Sequence, residues 1–141
     1  MEVGDLLKQT PLFGNLSEGE IDILAQSTRV QTYRTGQVIL REGHVGAAFF
    51  VLVSGSVEVV KDSSGSEPVV LATLGAGDFF GEIATMKHVS RSASVRALQD
   101  TQCLVMWRLD FDSYLRRFPD VAAKVESALS ARFNDRQEPE D

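Results

Sequence analysis

Two opposite charges nine positions apart, Glu82 and Arg91, stand inside FFGEIATMKHVSRSASV, residues 79–95, among apolar and small neighbours. An arginine presents a planar fork of donors that suits a phosphate. Gly81 allows a backbone to come close to a ligand, and Ile83 and Ala84 follow Glu82 in a segment able to start a helix, whose first amides lie open to an anion. Ser92, Ala93 and Ser94 leave room beside the arginine and bring hydroxyls and amides. Glu82 would repel a phosphate, yet a carboxylate accepts well from a neutral sugar hydroxyl a few ångströms away, as in dinucleotide-binding folds. These residue types suit a ribose joined to a single phosphodiester. They suit equally an internal Glu82–Arg91 ion pair that pins the loop, since buried charges are usually paired.

The flanking sequence says what holds this loop. SEGEIDILAQST has Ser17 and Glu20 in capping-box spacing, followed by Ile21, Leu24, Ala25 and Thr28 on one helical face. Leu6, Leu7, Leu12, Phe13 and Leu16 form an apolar edge ahead of it, read as a further helical turn broken at Pro11. From Val30 the pattern becomes short β-rich runs, VQTYR, QVILRE, FFVLVSG, SVEVVKD, VVLATLG, SASVRAL and QCLVMWRL, punctuated by Gly36, Gly43, Gly55, Gly65 and Gly77. Such spacing predicts a closed or double-sheet β body, with KDSSGSEP as an exposed hairpin loop. LDFDSYLRRF is a short amphipathic helix, and Pro119 opens a second, on which Val121, Val125, Leu129 and Phe133 stand four apart as one stripe. The fold class expected is mainly β with flanking helices: a jelly roll (double-stranded β-helix) with N-terminal helices and two C-terminal ones. A cavity between its sheets is expected, lined at one end by the loop. The divisions expected are a helical segment over 1–30, the β body over 31–109, two helices over 110–133 and a polar tail over 134–141.

Whole-chain properties narrow the function. A 141-residue chain fits one domain with one core, and it is large enough to fold without disulfides or a structural metal. Its formal net charge of −6 disfavours direct nucleic-acid binding. Cys103 is the lone cysteine and sits in the apolar run CLVMW, where a buried inert thiol is expected. No targeting segment or long apolar span is present, so a cytoplasmic chain with no transmembrane segment is expected. The two histidines, His44 and His88, fall in separate loops without ligand spacing, which argues against a metal-dependent jelly-roll enzyme. No GxSxG elbow supports a hydrolase, so no catalytic or metal-binding residue is expected.

The cassette FGEIA followed by RSASV resembles that of cyclic nucleotide-binding domains, found in catabolite activator proteins, protein kinase regulatory subunits and cyclic nucleotide-gated channels. GQVILREG and FFVLVSGSVEVV resemble the family's early strands, LGAGDFFGE its approach to the cassette, and the terminal helices its hinge and lid, so that the resemblance covers about residues 6–133. It implies that Glu82 accepts from the ribose 2′-hydroxyl and that Arg91 binds the cyclic phosphate. It further implies that amides near Gly81, Ile83, Ser92 and Ala93 add contacts and that Val59, Leu71 and Ala72 lie beside the purine. Ser90 stands where the family commonly has proline. The ligand implied is cAMP, with cGMP close behind, and no cofactor is needed.

Val125, Glu126, Leu129, Arg132 and Phe133 are candidate lid residues, although the polar ones also fit the solvated face of an amphipathic helix. Two other readings remain: a family member that keeps the fold as a non-binding interaction module, and, more remotely, a jelly-roll enzyme. No helix-turn-helix follows the last helix, so the chain, if whole, is not expected to be a one-chain transcription factor of the activator type; the other expectation is the sensor fragment of a channel, cyclase or kinase, with the effector domain or protein unknown.

Overall fold

A computed structural model of the protein describes residues 2–41, 48–61, 67–81 and 94–135, with side chains through residue 127. The described residues form, in order, α1 (Val3–Gln9), α2 (Glu18–Ala25), β1 (Thr28–Tyr33), β2 (Val38–Leu40), β3 (Ala48–Ser54), β4 (Ser56–Lys61), β5 (Val69–Gly75), β6 (Phe79–Gly81), β7 (Ser94–Ala97), β8 (Thr101–Trp107), α3 (Arg108–Arg117) and α4 (Pro119–Asp135). The strands pair antiparallel into two four-stranded sheets, one ordered β1-β8-β3-β6 and the other β2-β7-β4-β5.

The alternation of side chains along the strands builds two separate cores. On β3, Phe49 and Val51 point to one face of the first sheet, while Ala48, Phe50 and Leu52 point to the other. The β8 strand divides in the same way, with Leu104 and Met106 on the first face and Cys103 and Val105 on the second. The first face packs against the helices through Leu7, Phe13, Leu24, Phe111, Val121 and Val125. The second closes the space between the sheets with Val57, Leu74, Phe80 and Val95. That space is therefore a packed core along the described strands, where the sequence suggested a cavity. Each such side chain, fully buried, contributes roughly 1.5–3 kcal/mol.

Local signals explain the helices. Ser17 accepts from Glu20 N at 3.2 Å while Glu20 Oε1 accepts from Ser17 N at 2.8 Å, the reciprocal capping box expected of this spacing. The helix ends at Ala25, however, and Thr28 is already the first residue of β1, its hydroxyl donating to Leu24 O at 2.8 Å. Thr28 thus belongs to a strand and terminates α2 from outside. Leu12, Phe13 and Leu16 are buried in the turns after α1 rather than in a helix. In α3, Phe111, Tyr114 and Leu115 form the buried face, and Pro119 opens α4 as its first residue.

Acid stability should depend on one long-range turn contact. Asp100, before β8, accepts from Thr35 N at 2.9 Å and from Thr35 Oγ1 at 3.0 Å, and these donors hold its carboxyl below the usual carboxylate range. A depressed folded pKa gives stability that is present above the unfolded value, roughly pH 3.9, and is lost as the pH falls through the folded one. The melting temperature of the parent should therefore drop more between pH 4.5 and 3 than that of Asp100→Asn, which keeps the acceptor oxygen without the charge. Parallel curves would show that the contact carries no such linkage.

Candidate functional site

The approach to the candidate loop is a tight crossing from one sheet to the other. After β5, Asp78 Oδ2 accepts from Gly75 N at 2.9 Å and Asp78 N donates to Gly75 O at 3.0 Å, closing a turn in which Gly77 has φ +91°. Gly77 N donates to Leu52 O and Leu52 N to Asp78 O, at 2.9 and 2.8 Å, which leads the chain onto β3 as β6. Phe79 then faces the helical core, 5.7 Å from the Phe49 ring, and Phe80 faces the inter-sheet core, stacked at 4.8 Å on Phe50. The FFG triplet, read from sequence as part of a loop, is a three-residue edge strand whose two aromatics anchor it in both cores.

Gly81 ends that strand opposite Phe49, at φ +103°. A Cβ placed there would lie 2.6 Å from Ala48 O and 3.1 Å from a Phe50 ring carbon. The position therefore requires glycine for packing against β3, a reason the sequence did not reveal.

Beyond the loop, the chain enters the second sheet at Ser94. Ser94 lies opposite Val60 and Val95 opposite Val59, while Val59 in turn lies opposite Ala72. Leu71 is the extra residue of a β-bulge, because Val59 pairs with Ala72 and Val60 with Val70. Ser94, Val59 and Ala72 are thus brought onto three adjacent strands, and Gly81 is at the edge of the facing sheet. Val59 is partly buried at the margin of the inter-sheet core, as are Tyr33, Ile39 and Leu40, whereas Leu71 is 49% exposed. Glu82, Ile83, Ala84, Arg91, Ser92 and Ala93 lie outside the described residues, as do Ser90, His44, His88, Gly43 and Gly65.

The candidate lid divides into three groups. Val125 is fully buried in the helical core, on the face of the first sheet turned away from the inter-sheet space. Glu126 is exposed. Leu129 and Phe133 continue α4, as does Arg132, but their side chains lie outside the described residues. The structure therefore does not bring Val125 to Val59 and Ala72.

Cys103 is fully buried, and burial pushes its thiol up to about 12, so it stays protonated and inert. Arg96 and Glu58 pair across β7 and β4. A cleft of about 630 Å³ lies between α1 and α2, and one of about 260 Å³ lies beside Pro11 and Gly77; neither contains a residue singled out as ligand-binding. Among the described residues, no three His, Cys, Asp or Glu side chains gather as a metal site would need. No helix among them is long and apolar enough to cross a membrane.

A family model described as "Cyclic nucleotide-binding domain" matches residues 30–118, from within β1 to just past α3, and so spans strands of both sheets and the residues between β6 and β7. The chain belongs to the cyclic nucleotide-binding domain family. The Cyclic AMP receptor protein of Thermus thermophilus is 33% identical over 129 residues, which cover 92% of this chain and 60% of that protein. The cGMP-dependent protein kinase 2 of Mus musculus is 31% identical over 136 residues, covering 95% of this chain and 18% of that one. A crystal structure of a cyclic nucleotide-binding domain from Methylobacillus flagellatus superposes with a TM-score of 0.74 at 27% identity, over 94% of this chain and 77% of that one.

This cyclic nucleotide-binding domain therefore spans less than two thirds of the curated relatives it matches. Its two antiparallel sheets and helices are the jelly-roll architecture of that family, and the resemblance read from FGEIA and RSASV holds. The family is a ligand-binding regulatory one.

Proposed function

We propose that the chain is a cyclic-nucleotide sensor that takes cAMP in preference to cGMP and moves its C-terminal helices on binding. In this reading Glu82 accepts from the ribose 2′-hydroxyl and Arg91 binds the cyclic phosphate. Amides of Gly81, Ile83, Ser92 and Ala93 complete that shell, Ala84 and Ser94 border it, and Val59, Leu71 and Ala72 lie beside the purine. The sensing body is residues 31–109, and residues 110–133 act as hinge and lid. The chain itself is no enzyme, needs no cofactor or metal, does not touch nucleic acid directly, and reports to an effector in the cytoplasm.

One observation carries the reading: Glu82 and Arg91, the pair suited to a ribose and a phosphodiester, occur within the segment matched by the family model. Support for the ligand class comes from relatives whose names carry cyclic AMP and cGMP. A neutral sugar hydroxyl gives Glu82 a role that a phosphate alone would not.

Ligand can shift the helices only by its difference in affinity between their arrangements. Saturating cAMP should change hydrogen exchange across residues 110–133, and cAMP should displace bound cGMP at lower concentration than the reverse. Unchanged exchange under saturation contradicts the helix movement, and stronger displacement by cGMP reverses the preference.

A further inference from the structure

Glu20 stands where α2, α3 and α4 meet. Its Oε1 accepts from Ser17 N at 2.8 Å and from Lys124 Nζ on α4 at 3.2 Å, while its main-chain carbonyl accepts from the Tyr114 hydroxyl on α3 at 2.8 Å. A single residue thus ties both C-terminal helices to α2. The Glu20 and Lys124 side chains are 24% and 39% exposed, so the pair is partly shielded from water. Val121 and Val125, on either side of Lys124 along α4, are fully buried in the helical core. Phe80 and Val59 belong to the core on the other face of the first sheet.

We infer that Glu20 and Lys124 form a clasp that holds α4 on the helical layer and thereby lowers the affinity of the domain for its nucleotide. The inference rests on the sensor reading above and adds the contact that helix movement must break. An interaction made only in the docked arrangement reduces the fraction of molecules able to close, and the apparent affinity falls with that fraction. Glu20 also acts through the α2 cap: its oxygen serves Ser17 and Lys124 together, so α2 supplies a fixed, already ordered partner for the lysine. The effect expected of one partly exposed pair is modest, about two- to fivefold.

Two variants of the 141-residue chain test this. Glu20→Gln keeps an oxygen for the Ser17 amide and removes the charge; Lys124→Met keeps the apolar stem and removes the ammonium. Each should speed hydrogen exchange of residues 121–127 and tighten cAMP binding about two- to fivefold. The double variant should go no further than either single one, because both remove the same interaction. Unchanged exchange in both single variants overturns the clasp, as does unchanged or weaker cAMP binding in a chain whose parent binds. A parent that binds neither cAMP nor cGMP overturns the sensor reading instead, and the exchange result then decides the clasp by itself.

Discussion

Arg91→Ala should lower the affinity for cAMP by roughly 30- to 1,000-fold while leaving the melting temperature of the ligand-free chain almost unchanged. The first half is expected if, as proposed, Arg91 gives the phosphate a charge-assisted donor fork. Removing one partner of a shielded charged contact costs about 2–4 kcal/mol, and every 1.4 kcal/mol is tenfold in affinity. Arg91→Lys keeps the charge but not the paired geometry, and should fall between parent and alanine. The second half separates the two roles open to Glu82 and Arg91. If the two charges served chiefly to pin the loop to itself, removing one would destabilise the chain and Glu82→Ala would do the same. If they serve ribose and phosphate, both variants lose affinity and keep stability. Calorimetric titration beside thermal denaturation reads both quantities on one preparation. A fall in melting temperature without a loss of affinity would return the pair to a structural role.

Gly81→Ala should be the opposite kind of variant, destabilising the chain before any ligand is added. Alanine at φ +103° is strained by about 1–3 kcal/mol, and its Cβ would also be 2.6 Å from the Ala48 carbonyl oxygen. Relief requires β6 to shift from β3, which would disturb the Phe50–Phe80 stack at 4.8 Å. Each kcal/mol lost in a domain of this size lowers the melting temperature by about 4 °C, so a fall of at least several degrees is expected. An unchanged melting temperature would mean that Gly81 is needed only for ligand approach, as its sequence context suggested. Nucleotide affinity should also weaken, since Gly81 precedes Glu82 directly and its displacement carries the loop with it.

These two residues also show what was legible in advance. The reading of the pair rests on residue type and spacing alone, a fork of donors and an acceptor nine positions apart with small residues directly after the arginine, and both charged residues lie outside the described residues. The capping box at Ser17 and Glu20 and the start of α4 at Pro119 were readable from type and spacing too, being local rules satisfied within one turn. Phe79 and Phe80 were harder. Three residues are too few to show a strand period, and only the pairing with β3, some thirty positions earlier in the chain, makes FFG a strand. Gly81 had two possible reasons to be glycine, and the decisive one is the carbonyl of Ala48, which no local pattern reveals. Thr28 fitted the helical stripe of α2, yet its hydroxyl caps the helix from the first position of β1. Val125 fitted a lid stripe, but together with Val121, the other described member of that stripe, it is buried in the helical core. The contact of Glu20 with Lys124 joins residues 104 positions apart and had no sequence signal at all.

The central claim is that this domain binds a cyclic nucleotide through the segment holding Glu82 and Arg91. Isothermal titration of the purified chain with cAMP tests it most directly, with the Arg91→Ala variant titrated in parallel. One site per chain is expected, with a dissociation constant in the micromolar range or tighter, about −8 kcal/mol, and little or no heat from the variant. No binding of cAMP or cGMP by the parent, or equal binding by parent and variant, would contradict it.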